Sequence, residues 1–261
     1  MTIDTEDAID HLSATHERSI GFSTGALALG DFRRGLTLLE GRAVRAVELS
    51  ALRESELPML MDALEDLDLS AFEYVSIHAP SKRHAMKESE VAELLAPCLE
   101  RKWPVVVHPD SIVDYGCWRG FGALLCLENM DNRKRSARNA EELAPYFDEL
   151  PHASFCLDLG HAQQVDATLS VARKMLREYG NRLKQLHLSE LNNASHHQPL
   201  SMATVWAVRE IARLIPDCPV IVESVIPPDK IDDELEMAAS CFETSATART
   251  IGAFAPLLSP S

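Results

Sequence analysis

Phe155-Cys156-Leu157-Asp158-Leu159-Gly160-His161 reads as an apolar strand that ends in a carboxylate, turns at a glycine and delivers a histidine three residues later. Asp is a hard metal ligand and His a borderline one, and a strand end followed by a tight turn can aim both at one point. Asp-x-x-His alone is a weak signal. The same design, an apolar run ending in His, Asp or Glu, recurs along the chain, and that recurrence decides the fold.

Upstream, Leu124-Leu125-Cys126-Leu127-Glu128 is a strand ending in Glu, and Pro104-Val105-Val106-Val107-His108 and Tyr74-Val75-Ser76-Ile77-His78 are strands stopped by Pro109 and by Ala79-Pro80. Before these come Arg45-Ala46-Val47-Glu48-Leu49-Ser50 and a first strand with its turn, Ile20-Gly21-Phe22-Ser23-Thr24-Gly25. Downstream lie Leu183-Lys184-Gln185-Leu186-His187 and Val220-Ile221-Val222-Glu223. Between the strands, helical patterns are expected near 31–40, 57–64, 88–101, 137–150, 168–179 and 201–214, with another from Asp232. Only a short link joins the fourth strand to the fifth. Strands alternating with helices describe a single-domain α/β protein, a (β/α)8 TIM barrel over 19–250, with a leader at 1–18 and a Pro/Ser-rich tail at 251–261. A doubly wound open sheet fits less well, because no glycine-rich phosphate turn follows the first strand.

The 261 residues and 46% apolar content suit one large barrel with a sizeable core. No apolar run approaches a membrane span, and the N-terminus is polar and acidic, unlike a signal or transit peptide. A formal net charge of −15 disfavours non-specific attraction to nucleic acid or anionic lipid. Six cysteines without a Cys-x-x-Cys pair read as reduced thiols of a cytoplasmic protein.

In a TIM barrel the C-terminal strand ends converge on the face where active sites are built. That face would collect His78, His108, Glu128, Asp158 with His161, His187 and Glu223, and His196 lies in the loop after the seventh strand. One such residue at a strand end is commonly a solvated or hydrogen-bonded side chain. Repeated over six strands, buried carboxylates would face each other at large electrostatic cost unless a cation lay between them. A divalent-metal site is therefore expected. The role of Glu48 stays open between structure, substrate hydrogen bonding and metal binding.

The segments SIHAP (76–80), VVVHPD (105–110), CLENMD (126–131), CLDLGHAQ (156–163), LHLSE (186–190), SHH (195–197) and VIVES (220–224) together resemble the xylose isomerase-like TIM barrels. That superfamily includes endonuclease IV and sugar isomerases and epimerases. The resemblance implies one of two templates. In the epimerase template, Glu128, Asp158, His187 and Glu223 hold one divalent cation (Mn, Zn, Mg or Co). Glu128 and Glu223 flank the substrate carbon, one removing a proton and the other returning it on the opposite face. In the endonuclease IV template, a family of multinuclear metal hydrolases, His78, His108, His161 and His196 extend this set and Glu128 bridges two metals. The acid this template requires two residues before the loop histidine is here Ala194, which removes a ligand from a third metal.

The loops separate the templates. The third-strand loop, Ser81-Lys82-Arg83-His84, lacks the family's tyrosine, and the fifth-strand loop, Met130 to Arg135, lacks its glycines. With the acidic background this argues against a DNA-binding face and for a small substrate, phosphorylated or not. Cations at helix N-termini oppose the macrodipole unless an anion offsets them. Lys82, Arg83, Arg133 and Arg135 are accordingly candidates to meet a phosphate or carboxylate, the competing reading being a solvated basic rim. Trp118 and Arg119 could form a lid or stacking wall, with core packing as the alternative for Trp118. Isomerase or epimerase chemistry comes first, a phosphodiesterase-like hydrolase second, and self-association into a homo-oligomer is left open.

Overall fold

A computed structural model of the protein describes residues 18–81 and 85–243. Apart from Arg18, the expected leader and tail lie outside the described residues, as do Lys82 and Arg83. Eight parallel strands close into a barrel: β1 (Ile20–Ser23), β2 (Ala46–Ser50), β3 (Tyr74–His78), β4 (Val105–Val107), β5 (Leu125–Glu128), β6 (Ser154–Asp158), β7 (Leu183–Leu188) and β8 (Val220–Val222). Each pairs with its sequence neighbours, and β1 pairs with β8 to complete the circle. Gly21 is required at the closure, since a Cβ there would lie 1.5 Å from the Ala46 carbonyl oxygen of β2.

Side chains alternate across each strand. Phe22, Val47, Leu49, Ile77, Val107, Leu127, Phe155, Leu157 and Leu186 point outward, into a core shared with helix residues such as Leu57, Leu60, Leu95, Leu143 and Val205. Burial of each large side chain stabilises by roughly 1.5–3 kcal/mol, so this annulus is the main apolar store of the fold. The opposite parity points into the barrel, and there the chain departs from the usual filling of bulky branched residues. Val106, Cys126 and Cys156 form a small apolar plug apart from the main core. Around and above it stand Glu48, Ser76, His78, Gln185 and His187, joined by hydrogen bonds across the barrel. The polar strand ends of the sequence thus belong to a polar barrel interior.

The link between β4 and β5, expected to be short, is made among the described residues of 3₁₀ turns, including Tyr115–Cys117 and Arg119–Leu124. Other crossovers differ from the expected pattern. The helix expected over 88–101 divides into Glu88–Leu95 and Pro97–Glu100, because Pro97 has no amide hydrogen to donate. Past Asp158 the chain enters a short helix, Leu159–Val165, where only a turn was expected. Asp158 itself caps that helix, its Oδ1 accepting the His161 amide at 2.7 Å. No described helix is long and apolar enough to cross a membrane.

Candidate metal centre

The strand-end residues meet inside the upper mouth of the barrel. One potential ligand atom each from Glu128, Asp158, His187 and Glu223 lies within 4.8 Å of the others, on four consecutive strand ends. In this quartet Asp158 Oδ2 and His187 Nδ1 are buried and make no hydrogen bond, although His161 Nδ1 stands 3.2 Å from Asp158 Oδ2. His187 Nδ1 stands 3.4 Å from Glu223 Oε2 and 3.6 Å from Glu128 Oε1, close to both and bonded to neither. Bare buried donors turned toward a common point are the arrangement expected of ligands, because an unpaired buried polar group is otherwise a net cost. The residues present fit a divalent cation.

Glu128 has two faces. Its Oε2 lies 3.1 Å from His78 Nε2 and 3.3 Å from His108 Nε2, and these three residues form a second cluster of potential ligands. Its Oε1 lies 3.1 Å from His161 Nδ1 and turns toward His187. Burial alone would raise the Glu128 carboxyl, but the charges of His108 and His187 and its histidine hydrogen bonds hold it well below the usual carboxylate range. Two of the histidines respond in kind, whereas burial lowers His108 despite Glu128. Burial lowers His78, yet its hydrogen bond to Glu128 and the surrounding carboxylates push it up to about 9. His161 is likewise desolvated, but Asp158 and Glu128 carry it to about 10. For Asp158 burial wins and raises its carboxyl to about 6, and burial also raises Glu223.

A supporting layer holds these groups in place. Asn129, the residue after Glu128, ties the fifth and sixth strand ends together: its Oδ1 accepts the Asp158 amide at 2.8 Å and its Nδ2 donates to the Asp158 carbonyl at 2.9 Å. The Asn129 carbonyl lies 2.9 Å from His161 Nδ1. Gly160 permits the close turn, since a Cβ there would stand 2.8 Å from the Ser189 carbonyl oxygen. Beneath His187, Glu48 Oε2 accepts from Ser76 Oγ at 3.0 Å and from Gln185 Nε2 at 2.7 Å, and lies 3.2 Å from His187 Nε2. Tyr74 donates its hydroxyl to Gln185 Oε1 at 2.6 Å.

No protein-family model matches the chain, and no curated protein matches its sequence. Solved structures match its fold. Endonuclease IV from Thermus thermophilus is 20% identical with a TM-score of 0.54, over 85% of this chain and 98% of that one. The 3-keto-D-glucoside 4-epimerase of E. coli is 14% identical with a TM-score of 0.51, over 86% of this chain and 98% of that one. A protein of Anabaena variabilis, assigned by name as a sugar phosphate isomerase/epimerase, is 14% identical with a TM-score of 0.52, over 84% of this chain and 88% of that one. The likeness is one of fold: the chain shares a closed eight-stranded (β/α)8 TIM barrel with these proteins.

Within the barrel, seven of the eight residues expected as ligands converge: His78, His108, Glu128, Asp158, His161, His187 and Glu223. The eighth does not. His196 is exposed, and its neighbour His197 takes the inward place, with Nδ1 at 2.8 Å from Ser189 Oγ and 3.9 Å from Glu223 Oε2. The reason is local. Ser195 adopts a left-handed φ of 53°, and His197 then pairs with Leu191 in a two-stranded antiparallel ribbon whose alternation turns successive side chains to opposite sides.

The expected substrate contacts are corrected more sharply. Trp118 is a core residue, buried against Phe121, and its Nε1 donates to Glu88 Oε1 at 2.6 Å. Arg119 pairs with Glu149 Oε2 at 2.8 Å beside a cavity lined by Leu125 and Ala153, where β5 and β6 begin. Its loop has already crossed to the far end of the barrel, so Arg119 cannot serve as a lid. Arg133 stays at the correct mouth, but Asp131 takes its guanidinium through Nη2 at 2.6 Å and Nε at 3.1 Å. Its Nη1 reaches the Ala194 carbonyl at 3.3 Å, strapping the β5 loop to the β7 loop. Arg135 is exposed. Sequence reasoning missed Asn129, Gln185 and His197. The first two stand at strand positions of the inward parity or directly beside Glu128, a signal that was available; His197 carried none that set it apart from His196.

Proposed function

We propose that the protein is a divalent-metal-dependent enzyme that isomerises or epimerises a sugar or another small hydroxy-carbonyl compound. The observation that carries this reading is the quartet Glu128, Asp158, His187 and Glu223, complete at the mouth of the barrel, with two of its donors buried and bare. A divalent cation such as Mn, Mg, Co or Zn, when bound there, would polarise the substrate carbonyl next to the carbon that loses its proton. The chain's own residues supply the proton transfer. Glu128 and Glu223 are carboxylates whose environments push them in opposite directions, and such a divergence assigns base and acid. Glu128, held ionised by its histidines, accepts the proton, and Glu223, raised by burial and at the rim of the mouth, returns one from the other side. His161 and His197 flank the mouth with ring centroids 6.1 Å apart, where they can hold substrate hydroxyls.

A hydrolase of endonuclease IV type is the second reading, and one observation favours it. Glu128 presents Oε2 to His78 and His108 and Oε1 to His161 and His187, so two donor sets share one carboxylate. A shared carboxylate is the usual support of two-metal hydrolytic centres. Against it stand the net charge of −15, the exposed His196 and the neutralisation of Arg133 by Asp131. A small-molecule substrate is accordingly favoured over nucleic acid. The deciding experiment combines metal counting on purified protein with a solvent-deuterium exchange screen over sugars. One cation per chain with exchange at a carbon next to a carbonyl supports the first reading. Two or more Zn or Fe per chain, no exchange and cleavage of a phosphodiester would replace it with the second.

A further inference from the structure

We propose that Glu48 is the positioning residue of the metal centre: its buried carboxylate accepts the proton of His187 Nε2 and thereby presents Nδ1 of that ring, bare, to Glu128, Asp158 and Glu223. This inference rests on the metal-dependent reading above. Glu48 also belongs to a group of potential ligands with His78, His187 and Glu223, but Ser76 and Gln185 already occupy its Oε2, which favours the supporting role.

The geometry assigns the two edges of the imidazole to different tasks. The Nδ1 edge faces Glu223 and Glu128 and is without a hydrogen bond. The Nε2 edge meets Glu48 Oε2, at 3.2 Å, and the Gln185 amide nitrogen, at 2.9 Å, and the buried Cys156 thiol also lies against the ring. With the Gln185 amide as placed, its Nε2 and His187 Nε2 both converge on Glu48 Oε2, and a half-turn would set the amide oxygen against that carboxylate. A neutral imidazole carries one proton. If Nδ1 is the ligating atom, that proton resides on Nε2, and the anionic acceptor there is Glu48. A histidine ligand whose far nitrogen donates to a carboxylate is fixed in tautomer and ring angle, and it is a stronger ligand for it.

Glu48 is an expensive residue for a purely structural task. It is fully buried inside the barrel, and its Oε1 has no hydrogen-bond partner. Ser76 and Gln185 would satisfy a neutral amide as well as a carboxylate; what calls for the charge is the imidazole of His187. Burial would raise the Glu48 carboxyl, but His187 with His78 holds it below the usual range. The network beneath it is built to hold that charge in one place, with Ser76 Oγ, Gln185 Nε2 and, through Gln185, the Tyr74 hydroxyl.

The test uses the full chain with Zn(II) or Co(II) as the probe. Glu48→Gln should weaken cation binding about 10- to 100-fold, the usual effect of removing such an outer partner. The metal-free variant should melt below the metal-free wild type, because His187 loses a buried counter-charge. Arg119→Ala, whose side chain pairs with Glu149 at the far end of the barrel, should leave the dissociation constant unchanged. Long-range proton–nitrogen correlation spectra of the Zn-loaded wild type should show His187 protonated on Nε2. That measurement needs no variant, so it decides the matter even if Glu48→Gln fails to fold. Wild-type affinity in Glu48→Gln, or a His187 ring protonated on Nδ1 in the loaded protein, would overturn the role of Glu48 while leaving the metal centre intact. A wild-type protein that takes up neither cation would overturn the metal-dependent function itself, and this inference with it.

Discussion

Replacing Asp158 by Asn should deprive the protein of its cation while leaving it folded and, without metal, more stable. The two oxygens of Asp158 have separate work. Oδ1 caps the helix Leu159–Val165 by accepting the His161 amide at 2.7 Å, and an asparagine carbonyl caps a helix about as well. Oδ2 is bare and faces the centre, and an amide nitrogen in its place offers no lone pair to a cation. Asn129 holds the Asp158 backbone, not its side chain, so that tie survives. Burial raises the Asp158 carboxyl from 3.8 to about 6. A rise of that size corresponds to roughly 3 kcal/mol against the ionised form. The sign follows from linkage: the folded protein holds this proton more tightly, so the stability it brings is complete below pH 3.8 and is lost as pH rises through about 6. At pH 7.5 the neutral asparagine escapes that loss. Some of the gain goes to His161, which keeps Glu128 at 3.1 Å but loses Asp158 as a counter-charge. The metal-free variant should therefore melt up to about 6–12 °C above the metal-free wild type. Saturating cation at about a thousand times its dissociation constant should raise the wild type by about 4 kcal/mol, or roughly 8–16 °C, and should not move the variant. Scanning calorimetry of both proteins with and without Zn(II) reads all four values. A variant that melts below the metal-free wild type, or that is still stabilised by cation, would refute the division of labour between the two oxygens.

Other consequences are simpler. Cation binding should tighten as pH rises and should release protons, because His78 and His161, raised to about 9 and about 10, hold protons at neutral pH that compete for the donors; calorimetry in buffers of different ionisation enthalpy measures this, and a pH-independent affinity would contradict it. Trp118→Phe should cost about 1–3 kcal/mol in urea unfolding, since it leaves the buried Glu88 carboxylate short of a 2.6 Å bond, and it should leave KM unchanged, whereas a KM effect would restore Trp118 to the substrate site. Gly21→Ala should abolish soluble folded protein, because its Cβ would fall 1.5 Å from a backbone oxygen across the barrel closure; a folded variant with near-native circular dichroism would show that β1 can shift. Arg133→Ala should loosen the loops it straps and raise KM modestly through Asp131 and Ala194, while Arg135→Ala, at an exposed cation without that strap, raises KM strongly only if the substrate is anionic.

The barrel and most of its candidate site were legible in the chain. Alternating parity made each strand visible, and a His, Asp or Glu at the strand end marked the mouth, as at His78, Glu128 and Asp158. The capping of the helix after Asp158 was also present in principle, since an acid three residues before His161 can accept its amide. Some strand signals were read too narrowly: Gln185 and Glu48 share the inward parity of His187, and that parity alone places them inside the barrel.

The period of two along a strand is a local property, so the chain alone shows which residues face inward and the order in which they ring the barrel. Which of them touch depends on how the barrel closes. Glu128 meets His78 across fifty positions of chain and Glu48 meets His187 across 139, distances over which no local pattern carries information. The same holds for the cations and the tryptophan. Arg119 and Trp118 look like rim residues in a list, yet their loop crosses the barrel from one end to the other, and Arg133 finds its anion two residues away before any substrate can. The Asp158-x-x-His161 turn supplied the first hint of a metal centre. The closure of eight strands, which brings donors from distant segments within 4.8 Å, is what makes it one.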